Sequence, residues 1–171
     1  MSAEESLSKR RNGFFERRRK KKIWEKVVEF MDEYFPEMKE LTEKSDKENV
    51  EYGFMMCEST NKLFPGRTCK GDECELDIKD CSIGKKFGNF HTHPSSIAEP
   101  SVSDVAFATL RSHKVICIGG GMGEDRKICC YYVTPEARKM KWDLVDKVER
   151  GEGHEHSPEE TYEEIRCIPF R

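Results

Sequence analysis

Three short apolar runs constrain the fold most: VEYGFMMC at residues 50 to 57, VICIGG at 115 to 120 and KICCYYV at 127 to 133. Each is short, apolar and rich in aromatic, β-branched or sulfur side chains, which fits a buried strand. KFGNFHT, near residues 86 to 92, reads as another strand, and a further one is expected at about 74 to 79. Helical segments alternate with these runs. From Ile23 the apolar positions Trp24, Val27, Val28, Met31 and Tyr34 or Phe35 recur at helical spacing. Pro36 disfavours helical geometry at Phe35, so a break or kink is expected there. Residues 44 to 49 are polar and read as a loop. Val102 to His113 has helical character after the start signal Pro100-Ser101, and Pro135 opens a helix to about Arg150. The glycine-rich GGGMGEDR joins two strands as a hairpin connection. The order is helix, strands, helix, strands, helix. That pattern is a mixed α/β domain, a mixed β-sheet flanked by helices.

A chain of 171 residues suits one domain with an appendage. The reading divides it into a basic arm, flexible or helical, at 1–22, a domain at 23–150, and a polar link with a short C-terminal segment at 151–171. Charged residues make up 37% with a formal net charge of -3, yet the balance is uneven along the chain. SKRRNGFFERRRKKK is strongly basic and SPEETYEEI is acidic. Such a basic run can touch nucleic acid or another acidic partner, but it is more often a solvated tail. Phe14-Phe15 alone does not make a nucleic-acid reader, so nucleic acid is not the expected partner. No apolar run approaches the roughly 18 residues needed to span a bilayer. MSAEESLSKRR lacks the apolar core of a signal peptide. A cytoplasmic protein is the expectation.

The 8 cysteines are many for such a protein. The chain also lacks glutamine and is rich in Lys and Glu, which leans toward a thermophile. Intracellular proteins of hyperthermophiles are the recognised exception that keeps disulfides. Cys57, Cys69, Cys74 and Cys81 could form a structural zinc site, with disulfides or buried thiols the favoured alternative. Cys117, Cys129 and Cys130 sit in apolar strands and read as core residues. His154 and His156 lie in the polar link and read as solvated.

His91 and His93 close the strand at 86 to 92. In an extended chain, residues i and i+2 share a face, so the two imidazoles project side by side. Asp104, in the first turn of the next helix, can point back at them. Two histidines and a carboxylate with a vacant fourth position describe a catalytic zinc site rather than a closed structural one. Taken separately, the parts have plainer meanings: a strand pair of histidines, and a helix cap made by Ser101 and Asp104. Neither covers the whole string GNFHTHPSSIAEPSVSD.

That string resembles the H-x-H-P-x(6)-S-x-x-D signature of the JAMM (MPN+, Mov34/PAD-1) zinc metallopeptidases. The match is complete over residues 91 to 104, and the strand order is similar to that family over roughly residues 23 to 135. The resemblance implies an MPN, cytidine deaminase-like fold. It implies one catalytic zinc on His91, His93 and Asp104, with Ser101 stabilising the oxyanion. It also implies a glutamate base at the start of an upstream apolar strand, which points to Glu51 in VEYGFMMC. Glu51 is separated from Gly53 by one residue where the family typically has two, so a bulge would be needed. Glu48 and Glu58 are the alternatives. The implied activity is hydrolysis of a peptide or isopeptide bond after the C-terminal Gly-Gly of a ubiquitin-like or sulfur-carrier modifier. Ser59 to Cys81 is the expected substrate-selecting region. The competing functional class is a binding or scaffold module that keeps the fold without catalysis, but metal-free relatives typically lose the ligands retained here.

Overall fold

The computed structural model describes residues 2 to 76 and 81 to 171. One helix, α1 (Ala3–Glu48), opens the chain and runs for 46 residues. A capping box between Ser2 and Glu5 closes its N-terminus, and Asn49 in the left-handed region (φ 53°) closes its end. The basic arm is the exposed first part of this helix; burial begins at Ile23 and continues through Val27, Phe30, Met31 and Met38. The helix passes through Pro36, so the expected break is absent. An interior proline costs about 3 kcal/mol. Phe30 and Met31 before it and Met38 after it are almost fully buried in one cluster, each worth roughly 1.5–3 kcal/mol. Those anchors win. The expected loop at 44 to 49 is also helical as far as Glu48. Here the helix turns Thr42 and Ser45 inward, small polar residues that leave no apolar stripe in the sequence.

The strands are β1 (Tyr52–Ser59), β2 (Lys62–Pro65), β3 (Cys69–Lys70), β4 (Lys85–Thr92), β5 (Val115–Gly120), β6 (Lys127–Val133) and β7 (Tyr162–Pro169). They form one mixed sheet in the order β2-β1-β4-β5-β6-β7, with β3 also paired to β1. β4 and β5 are parallel, and the other pairings are antiparallel. Helix α3 (Val102–Leu110) makes the crossover between the parallel pair. On one face α1 packs over Phe54, Phe87, Phe90, Val115 and Ile128. On the other, α3, α4 (Pro135–Lys139) and α5 (Lys141–Glu149) cover Ile116, Ile118, Tyr131 and Val133. The architecture is a mixed sheet between helical layers, as its alternating pattern foretold.

Four details differ from the sequence reading. Asp72–Leu76 is a short helix, α2, rather than the start of a strand, and residues 77 to 80 lie outside the described residues. A Gly71 carbonyl accepting from the Cys74 amide at 2.9 Å and a Cys69–Cys74 disulfide turn the chain there. The helix from Pro135 is divided at Met140 into α4 and α5. The C-terminal segment joins the sheet as β7, paired with β6 around an irregularity at Cys130/Tyr131. Finally, all eight cysteines are bonded, as Cys57–Cys81, Cys69–Cys74, Cys117–Cys130 and Cys129–Cys167. The four candidate zinc cysteines are thus disulfides, and the strand cysteines are buried as expected but paired.

Candidate metal centre

His91 belongs to β4, and His93 lies just beyond the strand end, where its amide donates to the Gly119 carbonyl of β5 at 2.8 Å. Ser101 and Asp104 cap α3 reciprocally: the Asp104 amide donates to Ser101 Oγ at 3.2 Å, and the Ser101 amide donates to Asp104 Oδ2 at 2.9 Å. The cap turns the carboxylate toward the strand end. Asp104 Oδ1 lies 3.0 Å from His91 Nε2, and Oδ2 lies 3.1 Å from His93 Nε2. The two Nε2 atoms are 3.1 Å apart. Among the described residues, this is the group of His, Cys, Asp or Glu side chains whose ligand atoms converge closely enough to hold a metal ion.

The outer nitrogens fix the chemistry of the inner ones. His93 Nδ1 is 2.8 Å from the Ile97 carbonyl, which only accepts, so Nδ1 carries the proton. His91 Nδ1 is 2.9 Å from Asn89 Oδ1, another acceptor. In its neutral form each ring therefore turns a bare Nε2 toward the carboxylate. Three acceptors then converge on one point, which a shared proton or a metal cation can satisfy. Tetrahedral bonds of about 2.0–2.1 Å set two donor atoms roughly 3.3 Å apart, close to the spacing here. The residues fit a zinc-type ion.

Charge at the site follows the same logic. Burial opposes the ionised forms of His91 and Asp104, yet their mutual attraction prevails. His91 is raised above the ordinary imidazole range; burial works against it, but Asp104 and then Glu51 outweigh that. Asp104 is held well below the usual carboxylate range, because His91 and His93 overcome its burial.

Glu51, Ser101 and the three converging residues all line one open cavity of about 770 Å³. Of the other glutamates weighed as a base, Glu48 accepts from Tyr52 Oη at 2.6 Å and from Lys70 Nζ at 2.9 Å, and Glu58 pairs with Lys26. Glu51 stands just before β1, with its carbonyl accepting from the Gly71 amide. The strand begins after it, so no bulge is needed to turn it; the irregularity between β1 and β4 lies at Met56/Cys57. Gly53 is opposite His91, and a Cβ there would meet the Phe90 carbonyl at 2.6 Å. His154 lines the same cavity, while exposed His156 sits 3.3 Å from Glu99.

Several residues that hold the site were not singled out from the sequence. Thr92, between the histidines, donates to Ser45 Oγ at 2.6 Å and accepts from the Tyr52 amide at 2.9 Å. Asp46 accepts from the Ser95 amide at 2.7 Å and faces Arg126 Nε at 2.6 Å, off-axis, as an ion pair rather than an aligned hydrogen bond. Asn89 bridges His91 to His113, its Nδ2 lying 2.9 Å from His113 Nδ1. A buried asparagine two residues before His91, on the same strand face, was the signal for the last of these.

Compared with known proteins, the chain matches no protein-family model and no curated protein. Among the described residues, no helix is long and apolar enough to cross a membrane.

Proposed function

We propose that the protein is a zinc-dependent peptidase or isopeptidase of the JAMM/MPN type. It would act after the C-terminal Gly-Gly of a ubiquitin-like or sulfur-carrier modifier. The observation that carries this reading is the convergence of His91, His93 and Asp104 as acceptors in a cavity that Glu51 and Ser101 also line. His91, His93 and Asp104 would hold the zinc. Bound zinc supplies Lewis acidity, which polarises a carbonyl and makes water nucleophilic at neutral pH. Glu51 accepts the proton of the attacking water and delivers it to the departing amine, so water adds across the C–N bond and no covalent enzyme intermediate forms. Ser101 takes the Asp104 amide on a lone pair and keeps its own hydroxyl proton to donate to the oxyanion. The substrate class follows from the resemblance over residues 91 to 104. Glycines at the end of a tail pass a narrow strand-end site without side-chain collision, and an extended tail can add backbone hydrogen bonds.

The test uses wild type and Glu51→Gln with modifier conjugates and linear fusions ending in Gly-Gly. Wild type is expected to release the modifier until a chelator is added, and Glu51→Gln to bind zinc while cleaving nothing. An active Glu51→Gln variant would remove Glu51 as base. Zinc-loaded wild type that captures a partner but cleaves no conjugate would favour the scaffold reading.

A further inference from the structure

Asn89, His91 and His113 are all nearly inaccessible, at 3%, 6% and 1% exposure, and they form an unbroken polar line through the apolar interior. Asn89 Oδ1 faces His91 Nδ1 and Asn89 Nδ2 faces His113 Nδ1, both at 2.9 Å. An amide nitrogen only donates, so in this orientation His113 Nδ1 is the bare nitrogen and Nε2 carries its proton. His113 Nε2 is itself buried without a hydrogen-bond partner. The residue's backbone amide donates to the Ala108 carbonyl at 2.8 Å, and its ring stands edge-on against Phe107. Burial first, then the charges of Lys86 and Arg111, push its pKa down to about 4, so the ring is neutral at neutral pH and free to accept at Nδ1.

The line has a direction. With His113 accepting, Asn89 must present its oxygen to His91, and His91 must carry its proton on Nδ1. Its Nε2 lone pair then points at His93 and Asp104. Reversing the amide would put a proton on Nε2, where a metal must bind. We infer that Asn89 and His113 form a relay that fixes the tautomer of His91, and that both are positioning residues for the metal centre. The inference rests on the metal reading above. Outer partners of this kind typically change metal affinity by 10–100-fold.

Zinc affinity of the metal-free full-length chain, measured against a chromophoric chelator, tests the relay. Asn89→Leu keeps the shape but leaves the His91 Nδ1–H unpaired, and its zinc Kd is expected to rise about 10–100-fold. Asn89→Asp offers an oxygen to the same proton and is expected to stay within roughly threefold of wild type. Long-range 1H–15N spectra of the metal-free protein, at alkaline pH where His91 is neutral, should show its proton on Nδ1 in wild type and on both nitrogens in Asn89→Leu. Should Asn89→Leu not fold, His113→Phe takes its place in both measurements, with the same direction expected. Zinc affinity unchanged in a folded variant, equal losses in Asn89→Leu and Asn89→Asp, or an Nε2–H tautomer in wild type would each overturn the relay. A wild-type protein that binds no zinc would sink the metal reading, while the tautomer spectra would still decide the relay.

Discussion

Ser45, near the end of the long first helix, and Thr92, between the two site histidines, are joined hydroxyl to hydroxyl at 2.6 Å in the protein interior. The Thr92 oxygen also takes the Tyr52 amide beside Glu51. One side chain thereby ties α1, the start of β1 and the histidine strand together. Thr92→Val preserves shape but strands the Tyr52 amide and the Ser45 hydroxyl, at a cost of about 1–3 kcal/mol for each group left unpaired. The expected result is a lower midpoint in urea unfolding and weaker zinc binding. Unchanged values for both would show that this link does not position the site.

The stability of the metal-free protein should depend on pH in a defined way. Asp104 is lowered in the fold, so its contribution is present above the ordinary carboxylate value of about 3.9 and is lost as pH falls toward its depressed pKa. His91 is raised, so its contribution is full below the ordinary imidazole value of about 6.5 and is lost as pH rises through its folded pKa. Maximum stability from this pair therefore lies between those values. Zinc reverses the alkaline trend, because metal and proton compete for His91 Nε2. Thermal unfolding across the range, with and without zinc, measures both slopes. A metal-free profile that is flat above pH of about 6.5 would contradict the assignment.

The helix cap that Ser101 makes and the oxyanion role proposed for it can be separated. As a helix cap its loss costs about 1 kcal/mol. As an oxyanion donor its loss costs about 10²–10³-fold in kcat. Ser101→Ala should thus unfold slightly earlier yet, while fully folded, turn over far more slowly with KM little changed. A fall in kcat no larger than tenfold would leave the cap as its main role.

Removing residues 1 to 19 should leave a folded domain with the site intact. Up to Ile23 the helix is largely exposed, and Lys20 ties this region to the sheet through Glu163 of β7 and Tyr132 of β6. An exposed ion pair is worth about 0.2–1 kcal/mol. Extending the deletion through residue 22 should therefore lower stability by that amount, read from urea unfolding. Failure of either truncated chain to fold would mean that the arm packs on something essential.

The strands with dense apolar runs and the convergence of His91, His93 and Asp104 were legible because each carries its own local signal. Val115–Gly120 is buried along its whole length, and a continuous apolar run says so. What escaped was decided at a distance. Pro36 is tolerated because Phe30, Met31 and Met38 are pinned by strands far along the chain. The helical end at Thr42 and Ser45 is polar because its partners, Gly119 and Thr92, leave room only for small hydroxyls; a Cβ on Gly119 would sit 1.9 Å from Thr42 Oγ1. β7 alternates weakly and carries acidic residues, so it shows as a strand only beside β6. Asn89 and His113 are 24 positions apart and acquire meaning through the His91 imidazole that Asn89 links to His113.

Consecutive cysteines in β6 have a further consequence. Cys130 faces the α1 side and is bonded to Cys117, its direct neighbour in β5; Cys129 faces the opposite side and is bonded to Cys167, its direct neighbour in β7. Slippage by one residue exchanges the faces of every side chain in a strand. Here such a slip would require breaking two covalent bonds, one on each side of the sheet. The alignment of three strands is thus written into the chemistry of the chain as well as its packing. It fixes the end of β5, whose Gly119 carbonyl receives the His93 amide, so the thread that locks the sheet also sets the depth at which the second histidine is held.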